Sequence, residues 1–187
     1  MRYEKLETLY TRHLTLRRVV LEDLPAYFRL FGSSAVAAYM LWEPHTELAQ
    51  SAEAIRKVLS RYETGSCYRW AITETGIGEL IGIVELLRFD EETDSCSFAY
   101  MLREDRWGRG YGTEALEAAL RFAFEKMEIR LITADHFASN PASGAVMCKV
   151  GMSYVRKIPG KYEKLGRLHD AVEYRITAEQ WKQKTRC

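Results

Sequence analysis

Trp107-Gly108-Arg109-Gly110-Tyr111-Gly112-Thr113-Glu114 sets three alternating glycines between an apolar run, Ser97 to Leu102, and a strongly helical run, Thr113 to Lys126. Glycine has no Cβ, so its N–H can approach a ligand closely and its backbone tolerates φ > 0. A helix opening directly behind such a loop adds unpaired N–H donors and partial positive charge. The pattern predicts a cradle for an anion, a phosphate or pyrophosphate. A P-loop would end in Gly-Lys-Ser/Thr, but Gly112 is followed by Thr113 and Glu114. A dinucleotide fingerprint would need glycine where Thr113 stands. A glycine-rich turn before a surface helix has the same local composition. The rest of the chain decides between that turn and an anion site.

Other reactive residue types are sparse. Cys67, Cys96, Cys148 and Cys187 form no Cys-x-x-Cys pair, and His13, His45, His136 and His169 are scattered, so the spacing predicts no metal site. Cys148 falls in an apolar helical stretch, which predicts a buried thiol rather than a nucleophile. So few cysteines point to a reducing cytoplasm. The formal net charge of +1 argues against a partner dominated by nucleic-acid phosphates. No apolar run approaches the ~20 residues that span a bilayer, and Met1-Arg2-Tyr3-Glu4-Lys5 leads into no signal-peptide core.

The elements that must position the loop follow from periodicity. The 187 residues, 47% of them hydrophobic, suit one domain over 1–187. His13 to Val19 alternates as a strand. Glu22, Asp23 and Pro25 open a helix that Gly32 ends, and Ser34 starts a short helical piece through Met40. Leu48, Ala52, Ile55, Leu59 and Tyr62 recur at helical spacing, with Gly65 closing that helix. Tyr68–Thr73, Leu80–Phe89 and Ser95–Leu102 form an antiparallel meander. After the glycine loop comes a helix with Glu117 and Arg121 as an i,i+4 pair. Arg130 to Asp135 is a strand. Asn140-Pro141 is an N-cap and N1 pair opening a helix that runs to Val150, with Gly151 beyond its end. Ser153–Lys157 and Asp170–Ile176 are the last strands, separated by a basic loop, and Thr177 with Gln180 forms a capping box for a final helix holding Trp181. The order defines a mixed α+β layer architecture.

Trp107 to Ala115, read as Trp-Gly-x-Gly-x-Gly-Thr-Glu-Ala, resembles the acetyl-CoA signature of the GNAT acetyltransferase superfamily. It is most similar to the RimJ/RimL-like branch, which acetylates ribosomal-protein N-termini and other amines. The order of elements from about Thr11 to Trp181 matches as well. The resemblance implies a mostly antiparallel central sheet flanked by helices, with a splayed pair of strands for the cofactor. It implies acetyl-CoA as co-substrate, with its pyrophosphate on backbone amides between Arg109 and Thr113, around Gly110, Tyr111 and Gly112. Trp107 takes the first position of the motif, and Arg109 is a cationic contact or a solvated surface arginine. The pantetheine arm would pair with the backbone of Tyr100, Met101 and Leu102, where an N–H polarises the thioester carbonyl.

Asn140-Pro141-Ala142-Ser143 corresponds to an Asn-x-x-Ala/Ser pattern of the superfamily, in which the asparagine touches the coenzyme arm. Many members carry a tyrosine at the position of Met147, as general acid for the leaving thiolate. Methionine has no proton to give. Ser143, one turn earlier, is the nearest hydroxyl and the candidate acid, or a local backbone partner. Glu85 is the candidate general base, with Glu173, Asp135 and His136 as alternatives. A free α-amine, with pKa ~7.7–8.0, needs less base than a lysine-like amine at ~10.4. The resemblance implies acetyl transfer to a primary amine by direct attack in a ternary complex. The acceptor is left as a protein N-terminus or a small-molecule amine: a polyamine, an amino acid or a drug amine. A non-catalytic acyl-CoA-binding module is the alternative, and the assembly is left as monomer or homodimer. Lys157, Lys161, Lys164 and Arg167 in the basic loop favour an acidic acceptor or are simply solvated.

Overall fold

The computed structural model describes residues 6–64 and 66–186; the segment Met1 to Lys5, the helix stop expected at Gly65, and Cys187 lie outside the described residues. Eight strands form one sheet: β1 (Leu9–Tyr10), β2 (Leu14–Arg17), β3 (Tyr68–Glu74), β4 (Leu80–Asp90), β5 (Ser95–Leu102), β6 (Leu131–Phe137), β7 (Ser153–Lys164) and β8 (Arg167–Thr177). Their order is β1-β2-β3-β4-β5-β6-β8-β7. Every neighbouring pair is antiparallel except β5 and β6. Six helices flank the sheet: α1 (Leu24–Phe31), α2 (Ser34–Ala37), α3 (Leu48–Glu63), α4 (Tyr111–Glu125), α5 (Pro141–Lys149) and α6 (Ala178–Arg186). This is the mixed α+β, mostly antiparallel architecture expected from the sequence.

Alternation on the strands divides the core between two faces. Trp70 and Ile72 of β3 join Leu116, Leu120 and Ala123 of α4, while Ala71 between them joins Tyr27 and Leu30 of α1 and Ile55 of α3. Alanines 115, 119 and 123 recur every four residues along α4 and are fully buried, so the helix lies close on the sheet. Leu116 and Leu120 are also fully buried and contribute about 2 kcal/mol each. That packing fixes the N-terminus of α4, and hence the glycine loop, over the middle of the sheet.

Three expectations are corrected and one strand is added. The basic loop is instead the outer half of a long hairpin, with β7 and β8 paired up to Lys164↔Arg167. Its residues carry no apolar alternation because both faces are largely exposed; backbone pairing holds it, with the Gly160 N–H on the Asp170 carboxylate at 2.9 Å. Glu117 pairs with Lys184 of α6 rather than with Arg121, because α6 packs across α4. Cys148 is exposed: α5 turns the neighbouring Met147 inward and leaves Cys148 facing out. The two-residue strand β1 gave no periodic signal; it is a short edge held on β2.

Candidate active site

The glycine loop leads directly into the start of α4, the arrangement an anion cradle would need. Gly108 and Gly110 have φ of +75° and +82°, conformations that side chains resist. A Cβ at either would meet nothing within 4 Å, so the loop lies open on its outer side. Gly112 is helical, and its missing side chain serves close packing: a Cβ there would stand 3.3 Å from Tyr100 Cε2. The first backbone bond of the helix is Glu114 N–H to the Gly110 carbonyl. The N–H groups from Gly108 to Thr113 therefore find no acceptor among the described residues. Six successive free amides at a helix N-terminus fit a pyrophosphate group. Arg109 is exposed beside them and makes no ion pair among the described residues.

The cradle is braced on both sides. The Trp107 indole N–H donates to the Leu102 carbonyl at 2.8 Å, tying the loop back to the end of β5. The Tyr111 hydroxyl and Arg106 both bind Glu74 of β3, at 3.0 and 3.1 Å. Glu114 accepts from the Thr11 hydroxyl and from the His13 backbone and ring. Burial pushes the Glu114 carboxyl up, but those hydrogen bonds outweigh it and hold the group below its ordinary value.

Next to the cradle the sheet opens. β5 and β6 pair in parallel only at Ser95↔Leu131, Cys96↔Ile132 and Ser97↔Thr133. From Phe98 to Leu102, β5 keeps β4 on one side and has no strand on the other. The resulting V joins a cavity of about 980 Å³ lined by Tyr100, Met101, Leu102, Gly110, Asn140 and Ser143, among others. The free β5 edge offers backbone donors and acceptors to an extended chain, as in strand addition.

α5 supplies the second lip of the V. The Asn140 side chain caps it, accepting from the Ser143 N–H at 3.4 Å. Ser143 faces the cavity, and the Tyr100 hydroxyl donates to its Oγ at 3.3 Å across the opening. Met147 is buried in the main core and is spent on packing. The Tyr100 hydroxyl at Ser143 was not foreseen from the sequence. Tyr100 and Ser143 are 43 residues apart, and only the splay brings them together.

The candidate base residues also lie around this cavity or beside it. Glu85 is buried in β4, where Arg69 binds it through Nε at 3.0 Å and Nη2 at 2.6 Å; Arg61 stands 3.6 Å from its other oxygen. Asp135 is bound by Lys161 and Tyr162, and Glu173 by Arg156 at 2.7 Å. The His136 ring touches the Phe137 carbonyl through Nδ1 at 2.7 Å, so that nitrogen carries the proton. Its Nε2 is buried without a partner among the described residues and pressed against Gly144, where a Cβ would come within 2.7 Å. Each candidate base is thus either ion-paired or packed beneath α5. The apolar residues Val36, Tyr39, Met40, Leu41 and Trp42 also line the cavity as a wall. Lys164 ties the hairpin to that wall by donating to the carbonyls of Ala37 and Met40.

A free amide cradle, an open strand edge and a cavity beyond them define an acyl-CoA-dependent transferase. The chain belongs to the GNAT family of acetyltransferases: the family model described as Acetyltransferase (GNAT) domain matches residues 13–153. It is a GNAT N-acetyltransferase, and acetyl-CoA is its acetyl donor. An uncharacterized N-acetyltransferase p20 of Bacillus licheniformis is 29% identical over 129 residues, covering 69% of this chain and 72% of that protein. Two solved structures share the fold. RimL, a ribosomal L7/L12 α-N-protein acetyltransferase in complex with coenzyme A, superposes with a TM-score of 0.81 at 18% identity, covering 91% of this chain and 98% of its own. Spermidine N-acetyltransferase of Vibrio cholerae, in complex with CoA and spermine, gives 0.80 at 20%, covering 92% and 99%.

Proposed function

We propose that the protein transfers the acetyl group of acetyl-CoA to the free α-amine of a protein or peptide N-terminus, by direct attack within a ternary complex, as a RimJ/RimL-like enzyme. Acetyl-CoA supplies an activated acyl carbon on a thiol leaving group. The amides from Gly108 to Thr113 hold its pyrophosphate, with Arg109 beside them. The free edge of Tyr100, Met101 and Leu102 aligns its arm and offers an N–H to the thioester oxygen. Ser143 gives a hydrogen bond to the departing sulfur, and Asn140 holds the turn that carries Ser143. Glu85 orients the acceptor amine through the oxygen that Arg69 does not bind, which it shares with Arg61 at 3.6 Å.

The observation that carries the acceptor is the pairing of every cavity carboxylate named above with its own cation. A polyamine calls for carboxylates without such partners. An amine with pKa near 7.7–8.0 arrives partly neutral and needs no strong base. A lysine-like amine at ~10.4 is almost wholly protonated at neutral pH. The exposed free thiol of Cys148 fits a reducing, cytoplasmic setting.

Thiol release from acetyl-CoA, measured from about pH 6 to about pH 10, tests this reading. With N-terminal Ala or Ser peptides the rate should rise through about pH 7–8 and then flatten as the amine itself deprotonates. Faster turnover of spermidine at neutral pH would overturn the assigned acceptor.

A further inference from the structure

We infer that the Tyr100 hydroxyl is a positioning group that aims the Ser143 proton at the sulfur leaving acetyl-CoA. The inference rests on the function proposed above. Tyr100 lies on the open arm of β5, opposite Val84 and beyond the last residue paired to β6. Its ring is wedged under the first turn of α4, where the bare Cα of Gly112 makes room for it. From there its hydroxyl reaches α5 and donates to Ser143 Oγ. One side chain therefore links the two lips of the V, next to where the thioester must lie.

The geometry leaves Ser143 its own proton to place. Its backbone N–H is committed to Asn140, at 3.2 Å to the carbonyl and 3.4 Å to the side chain. One lone pair of its Oγ is committed to the Tyr100 proton. A hydroxyl has a single proton and rotates to suit its partners. With one acceptor site filled from the β5 side and no acceptor for its own proton among the described residues, that proton is free to turn into the cavity that Ser143 lines. Burial pushes the Tyr100 phenol up, and the Ser143 hydrogen bond opposes this without cancelling it. Tyr100 therefore stays neutral and keeps its donor proton.

The chemistry balances without net proton loss from either hydroxyl. The acceptor nitrogen bonds to the acyl carbon, the C–S bond breaks, and its electron pair stays on sulfur. The proton released by nitrogen passes to water and ends on the thiolate. Ser143 stabilises the sulfur while its charge develops, and Tyr100 ensures that the Ser143 proton points there. Met147, buried and without a proton to donate, takes no part.

Two readouts on Tyr100→Phe, Ser143→Ala and the double variant test the pair. The first is turnover: each single variant should lower kcat about tenfold while KM for acetyl-CoA stays within about twofold. The double variant should be no slower than Ser143→Ala alone, because Tyr100 acts through Ser143. The second is the titration of the thiol of bound CoA, followed by thiolate absorbance and independent of turnover. Each single variant should raise its pKa by about one pH unit, and the double variant by no more. Tyr100→Phe with wild-type kcat and an unshifted bound thiol would overturn the inference. So would additive losses in the double variant. A wild type that binds CoA yet acetylates no amine would refute the proposed function, and the thiol titration would still decide the role of Tyr100.

Discussion

Arg69 holds Glu85 through two hydrogen bonds to one carboxylate oxygen, at 2.6 and 3.0 Å, in the middle of the sheet. Both residues line the cavity, and the Tyr27 hydroxyl is a further partner of Arg69 at 3.2 Å. Glu85 is only 8% exposed, so the cation that offsets its charge is part of the fold as well as of the site.

Removing that cation strands a buried charge. Arg69→Ala should cost about 3–5 kcal/mol in urea unfolding at neutral pH, the range for breaking a buried pair from one side. Glu85→Gln keeps an acceptor for Arg69 and should cost much less. Kinetics then separate the two roles open to Glu85. As an orienting group, Glu85→Gln raises KM for the amine and leaves kcat within about threefold. A general base would instead show a kcat loss of 10²–10⁴, and that result would return proton abstraction to Glu85.

The cradle depends on Gly110 both for its φ of +82° and for the open space at its Cα. Wild-type protein should gain about 2.7 kcal/mol of stability at a hundredfold excess of acetyl-CoA over its Kd. Gly110→Glu sets a carboxylate where the pyrophosphate approaches and strains the left-handed turn. It should lose most of the acetyl-CoA shift in Tm while unfolding as cooperatively as wild type without ligand. An undiminished shift would mean that the pyrophosphate lies elsewhere.

How much of this was legible in the sequence depended on the range of the forces involved. Asn140-Pro141 announced α5 because an N-cap and N1 proline act within one turn. Thr177 and Gln180 likewise form the reciprocal cap expected of them, at 2.9 and 3.3 Å. The meander was legible because β3, β4 and β5 are long apolar runs separated by turns. Partners set by tertiary packing were not legible. Glu85 reads as a lone acid in its strand; Arg69 meets it only through the Arg69↔Glu85 register of β3 and β4. Lys161 and Lys164 read as contacts for an acidic acceptor or as solvated charges, because nothing local shows that a hairpin will carry them to Asp135 and to the segment from Ala37 to Met40.

Lys164 gives that hairpin a testable role. Its ammonium donates to the Ala37 carbonyl, at the end of α2, and to the Met40 carbonyl in the turn that follows, and so steadies the apolar wall that the proposed function assigns to the acceptor. Lys164→Met keeps most of the stem and deletes the donors. We expect KM for the acceptor peptide to rise about fivefold to tenfold, the loss of about one net hydrogen bond. The acetyl-CoA shift in Tm should be unchanged, because the cradle lies on other elements. A weakened acetyl-CoA shift with an unaltered acceptor KM would contradict the assignment of this wall to the acceptor.

Glu114 gives the fold a predictable acid limb. Its carboxylate gathers the Thr11 hydroxyl, the His13 N–H and the His13 ring onto the first turn of α4. These hydrogen bonds outweigh burial and depress its folded-state pKa. A depressed carboxylate binds fewer protons folded than unfolded, so its stabilisation is complete above the unfolded value of about 4.3 and fades as pH falls through the lower folded value. Glu114→Gln should therefore lower Tm at neutral pH, and the gap to wild type should close as both are acidified below about pH 4. The same carboxylate braces the cradle, so the variant should also bind acetyl-CoA somewhat more weakly at neutral pH. A Tm gap that stayed constant into acid would mean that Glu114 stabilises by packing alone, without its charge.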